Sequence, residues 1–332
     1  EDARIQQKPG LAYDQILEGV MEGKIKGLWV IATNPAHSWV NQDSFRRAAE
    51  KLEFLVVQDM FPDTETARLA HLVLPSACWG EKEGTVINSE RRIGLFKQVS
   101  PAPGKALADF YILKLLAEYW GCGHLFREVD TPEQAFRKMA ELSKGRPCDF
   151  SGIADYRAID REGGIQWPFP ASAAGTSPER ERRLFADGRF HHPDGKARFL
   201  FSPPRPIPEP VTHEFPFALL TGRGTSAQWH TNTRTGRSQV LRKLHPADPQ
   251  LEIHPDDARR LGLSPGDWVT VRSLRGAARA RALPASTVQP GQVFLAMHDA
   301  EVNRLTCPAF DPHSRQPSYK HAAVRVEKGT AP

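Results

Sequence analysis

Residues Phe215 to Gly236 read FPFALLTGRGTSAQWHTNTRTG, a short apolar run followed by a polar loop with two closely spaced glycines. The run Phe215–Leu220 predicts a buried strand, because strands covered on both faces take the form of short unbroken apolar segments. Gly222 and Gly224 then allow the main chain to approach a ligand, and the hydroxyl groups and backbone N–H groups around them can donate hydrogen bonds. The stretch predicts a strand that leads into a phosphate-binding loop.

The same loop carries side chains that suit a charged, flat ligand. Arg223 and Arg234 supply fixed positive charge, Trp229 supplies a stacking face, and Gln228 and His230 supply polar edges. A Gly-x-Gly pair alone is weak evidence, and a glycine loop between two core strands is the alternative interpretation. The density of phosphate-compatible groups after a single strand favours the ligand-binding loop.

The composition is that of a soluble globular protein with room for two domains. Of the 332 residues, 40% are hydrophobic and 25% are charged. No apolar stretch is long enough to cross a membrane, and the opening sequence EDARIQQKPG lacks the features of a signal peptide. We therefore expect a cytoplasmic protein without a membrane partner.

Cysteine and charge patterns argue against two further classes of partner. The cysteines are Cys78, Cys122, Cys148 and Cys307. They are scattered and share no C-x-x-C spacing, which indicates isolated thiols and no metal ligand from this part of the protein. The net charge is +5, but basic and acidic residues are interleaved along most of the chain, so no nucleic-acid partner is expected. The local basic excess at 223–243 and 272–281 suits one polyanionic ligand.

Three short apolar runs near the amino terminus alternate with helical patterns. The runs are Leu28–Ala32, Phe54–Gln58 and His71–Pro75. Helix alternating with unbroken apolar strand is typical of an open parallel α/β sheet, which binds ligands at the carboxyl ends of its strands. Asn34 follows the first strand and Asp59 ends the second, so the pattern predicts a nucleotide crevice. A turn or helix-cap acid is the alternative interpretation of Asp59.

The middle of the chain predicts helices and irregular segments. Apolar spacing indicates helices at Phe110–Trp120 and Thr131–Leu142, the second capped by its threonine. The charged segment Trp79–Arg92 predicts a long polar loop. Residues 145–210 lose periodicity and gather proline, glycine and arginine, which predicts a connection that wraps another domain. Within it, His191 and its neighbour predict a hairpin rather than a metal site.

Short strands and turns follow the ligand loop. Gln250–Ile253 predicts a strand, and Ser264–Asp267 predicts a turn with proline and glycine at its two central positions. Apolar and polar residues alternate over Val269–Arg272 and over Ala278–Ala282, as in half-buried strands. Repeated turns and strands at this density predict a small closed β-barrel.

The loop sequence TGRGTSAQWHTNTRTG resembles the cofactor-binding signature in the last domain of the molybdopterin oxidoreductases, most closely that of the bacterial nitrate reductases. Three further strings resemble the same family: EKEGTVINSERR from Glu81, PDGKA from Pro193 and RQPSYKHAAVRV from Arg315. The resemblance implies a partial open parallel α/β molybdopterin-binding domain at 1–125 and a helical and irregular wrapping segment at 126–212. It implies a double-psi β-barrel that binds the molybdopterin dinucleotide at 213–330.

The resemblance also implies bis-molybdopterin guanine dinucleotide with molybdenum as the cofactor. The matching cofactor-binding positions are Thr33, Asn34, Gln58, Asp59, Lys82, Asp109, Thr221, Gly222, Arg223, Gln228, Trp229, His230, Thr231, Asn303 and Lys320. Met297 and His298 match positions near the family's substrate funnel, although a histidine at a strand end is usually structural. The cofactor-binding positions would hold the cofactor, and we expect no catalytic nucleophile or general base among the residues of this sequence.

The family's amino-terminal cysteine motif for a [4Fe-4S] cluster and its molybdenum-binding cysteine have no match in the sequence. We therefore expect the carboxyl-terminal part of a larger assimilatory nitrate reductase, inactive as an isolated segment, that reduces nitrate to nitrite. Its expected partners are nitrate, the amino-terminal remainder of the polypeptide, and an electron donor, whether ferredoxin, flavodoxin or an NAD(P)H-linked subunit. The alternatives are a formate dehydrogenase of the same superfamily and a noncatalytic nucleotide-binding or assembly module. The strings QWHTNTRTG and RQPSYKHAAVRV favour nitrate.

Overall fold

The computed structural model describes residues 8–176 and 181–330. The chain forms two compact units, one made of Glu1–Val73 and Pro204–Pro332 and the other of Leu74–Pro203. The first unit thus contains both the amino-terminal α/β residues and the barrel. The predicted domain limits at 1–125, 126–212 and 213–330 differ from these cut points and remain a prediction. Among the helices of the described residues, none has the length and hydrophobicity that a membrane span requires.

An α/β layer opens the first unit, and its elements confirm the predicted order. They are α1 (Tyr13–Met21), β1 (Gly27–Ile31), α2 (Pro35–Ser38), α3 (Gln42–Ala49), β2 (Phe54–Asp59) and β3 (Leu72–Pro75). β1 and β2 pair in parallel, with Val30 opposite Val57, in a sheet of order β1-β2-β3. Both valines are buried in a core shared with Phe45 of α3 and Leu55. Parallel pairing brings the residues after β1 and β2 to the same edge of the sheet.

The second unit contains more regular structure than the sequence predicts. Its elements are β4 (Gly84–Ile87), β5 (Arg92–Phe96), α4 (Asp109–Tyr119), α5 (Pro132–Ser143), α6 (Tyr156–Arg161) and β6 (Ile165–Gln166). The helix α5 is capped as predicted, because Thr131 Oγ1 accepts a hydrogen bond of 3.3 Å from Gln134 N–H.

One prediction about this unit is wrong, and another holds only in part. The expected loop Trp79–Arg92 contains β4 and leads into β5, and the two strands pair antiparallel around a turn with Arg91 at a φ of 65°. Most of β4 is exposed to solvent. The alternation of apolar and polar residues that predicts a half-buried strand is therefore absent from its sequence. The expected irregular segment 145–210 has no helix or strand over residues 181–210. Its start, however, contains α6 and β6 and adds Phe150 and Ile159 to a core with Phe136 of α5.

The barrel completes the first unit. Its elements are β7 (Phe217–Gly222), β8 (Gln250–Ile253), α7 (Pro255–Arg260), β9 (Trp268–Arg272), β10 (Ala277–Pro284), β11 (Gln292–Ala296) and β12 (Ala322–Lys328). The strands close in the order β10-β8-β11-β7-β12-β9. β10 pairs in parallel with β8 and β11 with β7, and the remaining pairs are antiparallel. This closed six-stranded barrel confirms the predicted barrel and is consistent with the double-psi type.

Polar contacts join the α/β layer and the barrel within the first unit. Arg304 Nε donates a hydrogen bond of 3.0 Å to the carboxylate of Asp43 on α3. Asn303 Nδ2 donates one of 3.2 Å to the carbonyl of His37 on α2. Because Asn303 and His37 are both buried, this contact fixes the end of the sheet against the barrel.

Candidate functional site

The predicted ligand loop follows β7, which pairs in parallel with β11. Thr221 lies opposite Leu295, so the loop after β7 and the residues after β11 leave the barrel at the same edge. The loop is folded by its own polar groups: Trp229 N–H donates to Thr235 Oγ1 at 3.1 Å, and Thr235 Oγ1 donates to Asn232 Oδ1 at 3.0 Å. The hydroxyl residues therefore shape the loop as well as adding polarity to it.

His298, just after β11, connects two points of this loop. Its Nδ1 lies 2.5 Å from the carbonyl oxygen of His230, and its Nε2 accepts a hydrogen bond of 3.1 Å from Gly224 N–H. A carbonyl can only accept and the amide can only donate, so the ring is neutral with its proton on Nδ1. Burial lowers the pKa of His298, the bond to His230 opposes this effect, and the neighbouring charge of Arg223 lowers the pKa further.

His298 is only 2% exposed, and both its ring nitrogens are engaged within the protein. It lines the two cavities described below, yet its contacts are those of a residue that shapes the loop. The funnel role predicted from the sequence remains a prediction.

Arg223 and Trp229 form the outer part of the site. The Arg223 guanidinium lies 4.5 Å from the centroid of the Trp229 ring, and the tryptophan is 57% exposed. A cation over an indole face presents one flat, positively charged surface. This surface has the character that the sequence predicts for binding an anionic, planar ligand.

The structure explains why position 224 is a glycine, which the sequence alone does not reveal. A Cβ atom at this position would lie 2.6 Å from Gln228 Oε1 and 3.1 Å from the Ala296 Cβ. The same Gln228 oxygen accepts a hydrogen bond of 3.2 Å from Thr225 N–H. The glycine therefore lets the loop pack on itself and on β11, which differs from the predicted approach of the backbone to a ligand.

Two cavities of the first unit adjoin the loop. The one at the barrel, which we call the barrel cavity, has about 330 Å³, and its lining includes Arg223, Gln228, His245, Asp248, Glu252 and Phe294. The other, which we call the sheet-end cavity, has about 390 Å³, and its lining includes His37, Asp63, Glu65, Thr231, Thr233 and Arg237. Asn232, His298 and Asp299 line both. The two cavities therefore share a wall, and both are of the size that small ligands occupy.

A hydrogen-bonded cluster lies beside the sheet-end cavity, at the carboxyl end of β1. Asn34 Nδ2 donates to Glu65 Oε2 at 2.6 Å, and Asn34 Oδ1 accepts from the backbone N–H and the hydroxyl of Thr66 at 3.1 and 2.7 Å. His37 Nδ1 lies 3.2 Å from Glu65 Oε1. Of these residues only Asn34 is predicted from the sequence. Glu65 and Thr66 belong to the segment that follows β2 and returns to the edge where β1 ends, and no local pattern in the sequence marks this return.

Charged residues near the end of β2 approach the ligand loop. Burial raises the pKa of Asp59, against the lowering effect of hydrogen bonds from Phe61 and Met60 and of the charges of Arg237 and Arg234. Arg237 forms an ion pair with Asp63, and its guanidinium lies 4.4 Å from the Phe61 ring centroid. Asp59 is thus influenced by Arg234 of the ligand loop and by Arg237, which follows it.

The remaining predicted site residues occupy varied environments. Gln58 is fully buried, while Thr33 and Lys320 are exposed. Thr221 Oγ1 donates a hydrogen bond of 2.6 Å to the carbonyl of Tyr319, next to Lys320. In the second unit, Lys82 forms an ion pair with Asp109, the first residue of α4. Among the described residues, no three His, Cys, Asp or Glu side chains lie together as a metal site.

Comparison with known proteins matches this architecture to two family models. The model described as "Molybdopterin oxidoreductase" matches residues 2–119, and the model described as "Molydopterin dinucleotide binding domain" matches residues 217–323. The second match covers the barrel from β7 to the start of β12, including the ligand loop.

Similar proteins align with nearly the whole chain. It is 37% identical to a nitrate reductase of Synechocystis sp. over 97% of its length and 35% identical to the assimilatory nitrate reductase catalytic subunit of Bacillus subtilis over 96%. It is 33% identical, over 99%, to the F420-dependent formate dehydrogenase 2 subunit alpha of Methanococcus maripaludis. The chain covers 46%, 44% and 46% of these proteins, so it spans about half the length of the curated relatives that it matches.

A solved structure supports the fold. The acetylene hydratase of Pelobacter acetylenicus superposes on 95% of the chain with a TM-score of 0.69, at 16% sequence identity. The chain covers 46% of that protein. At this identity the likeness concerns the fold alone.

Proposed function

We propose that this chain, which belongs to the molybdopterin oxidoreductase family, is the carboxyl-terminal part of a molybdenum nitrate reductase that reduces nitrate to nitrite in nitrate assimilation. The extent of the similarity carries the family assignment, and the strings QWHTNTRTG and RQPSYKHAAVRV, which resemble those of nitrate reductases, favour nitrate. Nitrate reductases of two bacteria align with at least 96% of the chain, through the α/β layer, the second unit and the barrel. A shared cofactor loop alone would give a shorter match.

The donor groups of the first unit fit bis-molybdopterin guanine dinucleotide, the proposed cofactor. Arg223 over Trp229 suits a charged, planar group. His37, which lines the sheet-end cavity, has a buried ring nitrogen with no hydrogen-bond partner among the described residues. We propose that the cofactor-binding positions predicted from the sequence in the first unit hold this group. Lys82 and Asp109, which belong to the second unit, remain predictions from the sequence. When bound, the molybdenum cofactor supplies the two-electron chemistry that converts nitrate, two protons and two electrons to nitrite and water.

The chain's own residues hold and orient the cofactor in this proposal. The neutral His298 ring fixes the loop at Gly224 and His230, so the Arg223 side chain starts from a preorganised backbone. A loop that is ordered before binding loses less conformational entropy on binding.

The rest of the proposed enzyme lies outside this sequence. We propose that the remainder of the polypeptide carries a [4Fe-4S] cluster and the molybdenum-binding cysteine. Electrons would arrive from ferredoxin, flavodoxin or an NAD(P)H-linked subunit, and the enzyme would work in the cytoplasm.

A formate dehydrogenase is the second candidate, because a formate dehydrogenase subunit aligns with 99% of the chain at 33% identity. The decisive test assays the intact enzyme with nitrate and a reduced dye, and separately with formate and an oxidised dye. We expect nitrite formation and no formate oxidation. Oxidation of formate alone would replace the nitrate assignment. An intact protein that binds nucleotide but no molybdenum would instead indicate the noncatalytic module.

A further inference from the structure

Residues 197–201, which we call the exposed segment, present three large apolar side chains in succession to solvent. Phe199, Leu200 and Phe201 are 98%, 94% and 89% exposed. Single exposed apolar residues are common on protein surfaces, whereas a contiguous apolar patch marks a site of interaction. The exposed segment therefore has the character of a surface that another part of a protein covers.

The backbone of the exposed segment also has no partners. Before it, Phe190 N–H donates a hydrogen bond of 2.8 Å to the carbonyl of Gly195, and Gly195 N–H donates one of 2.8 Å to the carbonyl of His192. From residue 197 to residue 208, no hydrogen bond or ion pair is made to any of residues 8–176 and 181–330 except one to the carbonyl of Glu209, just beyond this range. Free N–H and C=O groups beside apolar side chains are the features of an unpaired strand edge.

The sequence of the exposed segment is that of a short strand. Aromatic residues favour strands, and alternate residues of a strand lie on the same face, so Phe199 and Phe201 would share one face. Gly195, with a φ of 67°, lies in the turn before the segment, and Pro203 after it cannot donate to a sheet. The turn and the proline limit a strand at both ends. Residues 197–201 thus lack only a neighbouring strand.

The length of the relatives indicates what supplies this neighbour. The chain spans about half the length of the nitrate reductases that it matches, so much of the polypeptide of such an enzyme lies outside it. An apolar edge left open is a template for aggregation, and a separate partner would leave it open between encounters. A second copy would offer the same short segment, and a pair of strands is only marginally stable by itself. A sheet in the same polypeptide covers the edge permanently.

We propose that the exposed segment adds as a strand to the edge of a sheet in the amino-terminal remainder of the polypeptide, with Phe199 and Phe201 packed into the core beneath that sheet. The inference rests on the proposed function, in which this chain is the carboxyl-terminal part of a longer enzyme. It also accounts for the absence of a strand at residues 197–201, because a strand is defined by its hydrogen bonds to a neighbour.

Hydrogen–deuterium exchange of the full-length protein tests the backbone pairing. The alternate amides that face the neighbouring strand should exchange at least about a hundredfold more slowly than in a synthetic peptide with the sequence of residues 196–202, because paired amides exchange only when the sheet opens. Exchange of all these amides at the rate of the peptide would overturn the inference. The measurement uses the wild-type protein, so it does not depend on the folding of a variant.

Photo-crosslinking identifies the neighbour. Phe199→p-benzoylphenylalanine keeps an aromatic ring in the full-length protein, and mass spectrometry maps the peptide to which this ring links. We expect a link to a peptide of the amino-terminal remainder within one polypeptide. The matched control carries the same replacement at Phe190, whose ring centroid lies 4.5 Å from that of Phe185. The control should link to residues around Phe185.

Three crosslinking results would contradict the inference. They are a link from position 199 to a second copy, a link within residues 1–332, and no link where the control at position 190 succeeds. Neither experiment involves nitrate or formate. Oxidation of formate alone by the intact enzyme would remove the nitrate assignment and leave a link to the amino-terminal remainder intact. Nitrate reduction by a protein whose exposed segment exchanges freely would remove this inference alone.

Discussion

The hydroxyl oxygens of Tyr13 and Tyr319 lie 3.0 Å apart, although 306 residues separate them in sequence. Tyr319 donates to the carbonyl of Ser38 at 2.8 Å, and Tyr13 accepts from Val40 N–H at 2.9 Å. The hydrogen bonds therefore run in one direction, from Val40 through Tyr13 and Tyr319 to Ser38. This series of hydrogen bonds connects the segment that precedes β12 to the end of α2. The connection lies beside the predicted cofactor residue Lys320.

Tyr13→Phe should lower the free energy of unfolding by about 1–3 kcal/mol, because it leaves the buried Val40 N–H without its acceptor. The phenyl ring can still stack on Trp39, whose ring centroid lies 3.5 Å away, so packing is kept. Denaturant unfolding of the full-length protein measures the change. Tyr119→Phe, at a side chain that is 81% exposed, is the control and should cost little. Equal stability of the two variants would contradict the proposed role of the Tyr13 hydroxyl group.

The stability of the first unit should fall as the pH drops below about 6.5, the ordinary pKa of histidine. Burial lowers the pKa values of both His230 and His298, so the unfolded chain binds protons at a pH where the folded chain does not. Stability from these histidines is complete above about pH 6.5 and is lost as the pH falls towards their folded pKa values. The midpoint of thermal unfolding, measured at several pH values between 7.5 and 5.5, tests this pH dependence.

His298→Gln isolates one of the two histidines in the same pH series. The amide oxygen can still accept from Gly224 N–H but does not titrate, so the pH dependence should become shallower than in the wild-type protein. His313→Gln, at an exposed site, should leave the slope unchanged. A wild-type slope in His298→Gln would show that His298 does not contribute to the pH dependence.

Features fixed by neighbouring residues were predictable from the sequence, and features that depend on distant pairs were not. Local spacing in the sequence predicts the β7 strand, the Thr131 cap and the strand around Ala280, and the structure contains all three. His37 and Glu65 are 28 residues apart, and they meet only because β1 and β2 pair in parallel. No local pattern identifies such a pair before the sheet is built.

The roles of the predicted site residues show the same limit. A polar residue after a strand points to the edge of a sheet, but it does not reveal whether its side chain faces a ligand or another residue. Asn34 bonds to Glu65 and Thr66, and His298 bonds to Gly224 and His230. His298 lines both cavities and Asn34 lies beside the sheet-end cavity, and the hydrogen bonds of both are made within the protein.

Gly224→Ala should disturb the ligand loop and lower the amount of cofactor bound per chain. The new methyl group would lie 3.1 Å from Ala296 and 2.6 Å from Gln228 Oε1, so the Gln228 amide must move and release Thr225 N–H. Overpacking of this kind costs about 1–3 kcal/mol. Gly10→Ala, where a Cβ meets nothing within 4 Å, is the control. Guanine nucleotide released by acid measures the bound cofactor, and equal amounts in the two variants would show that the packing of Gly224 is not required.

Arg223→Ala should lower the molybdenum bound to the full-length enzyme, since it removes a charge that faces the barrel cavity. A hydrogen bond to a charged group contributes about 1.5–3 kcal/mol, so the affinity for cofactor should fall by about tenfold to a hundredfold. Arg223→Lys should retain part of the affinity, because it keeps the charge but loses the planar group that lies over Trp229. Arg279→Ala removes the same charge from an exposed position on β10 and is the matched control. Elemental analysis gives molybdenum per chain for all three variants. If Arg223→Ala retains as much metal as Arg279→Ala, the arginine does not bind the cofactor, and the loop after β7 would have only a structural role.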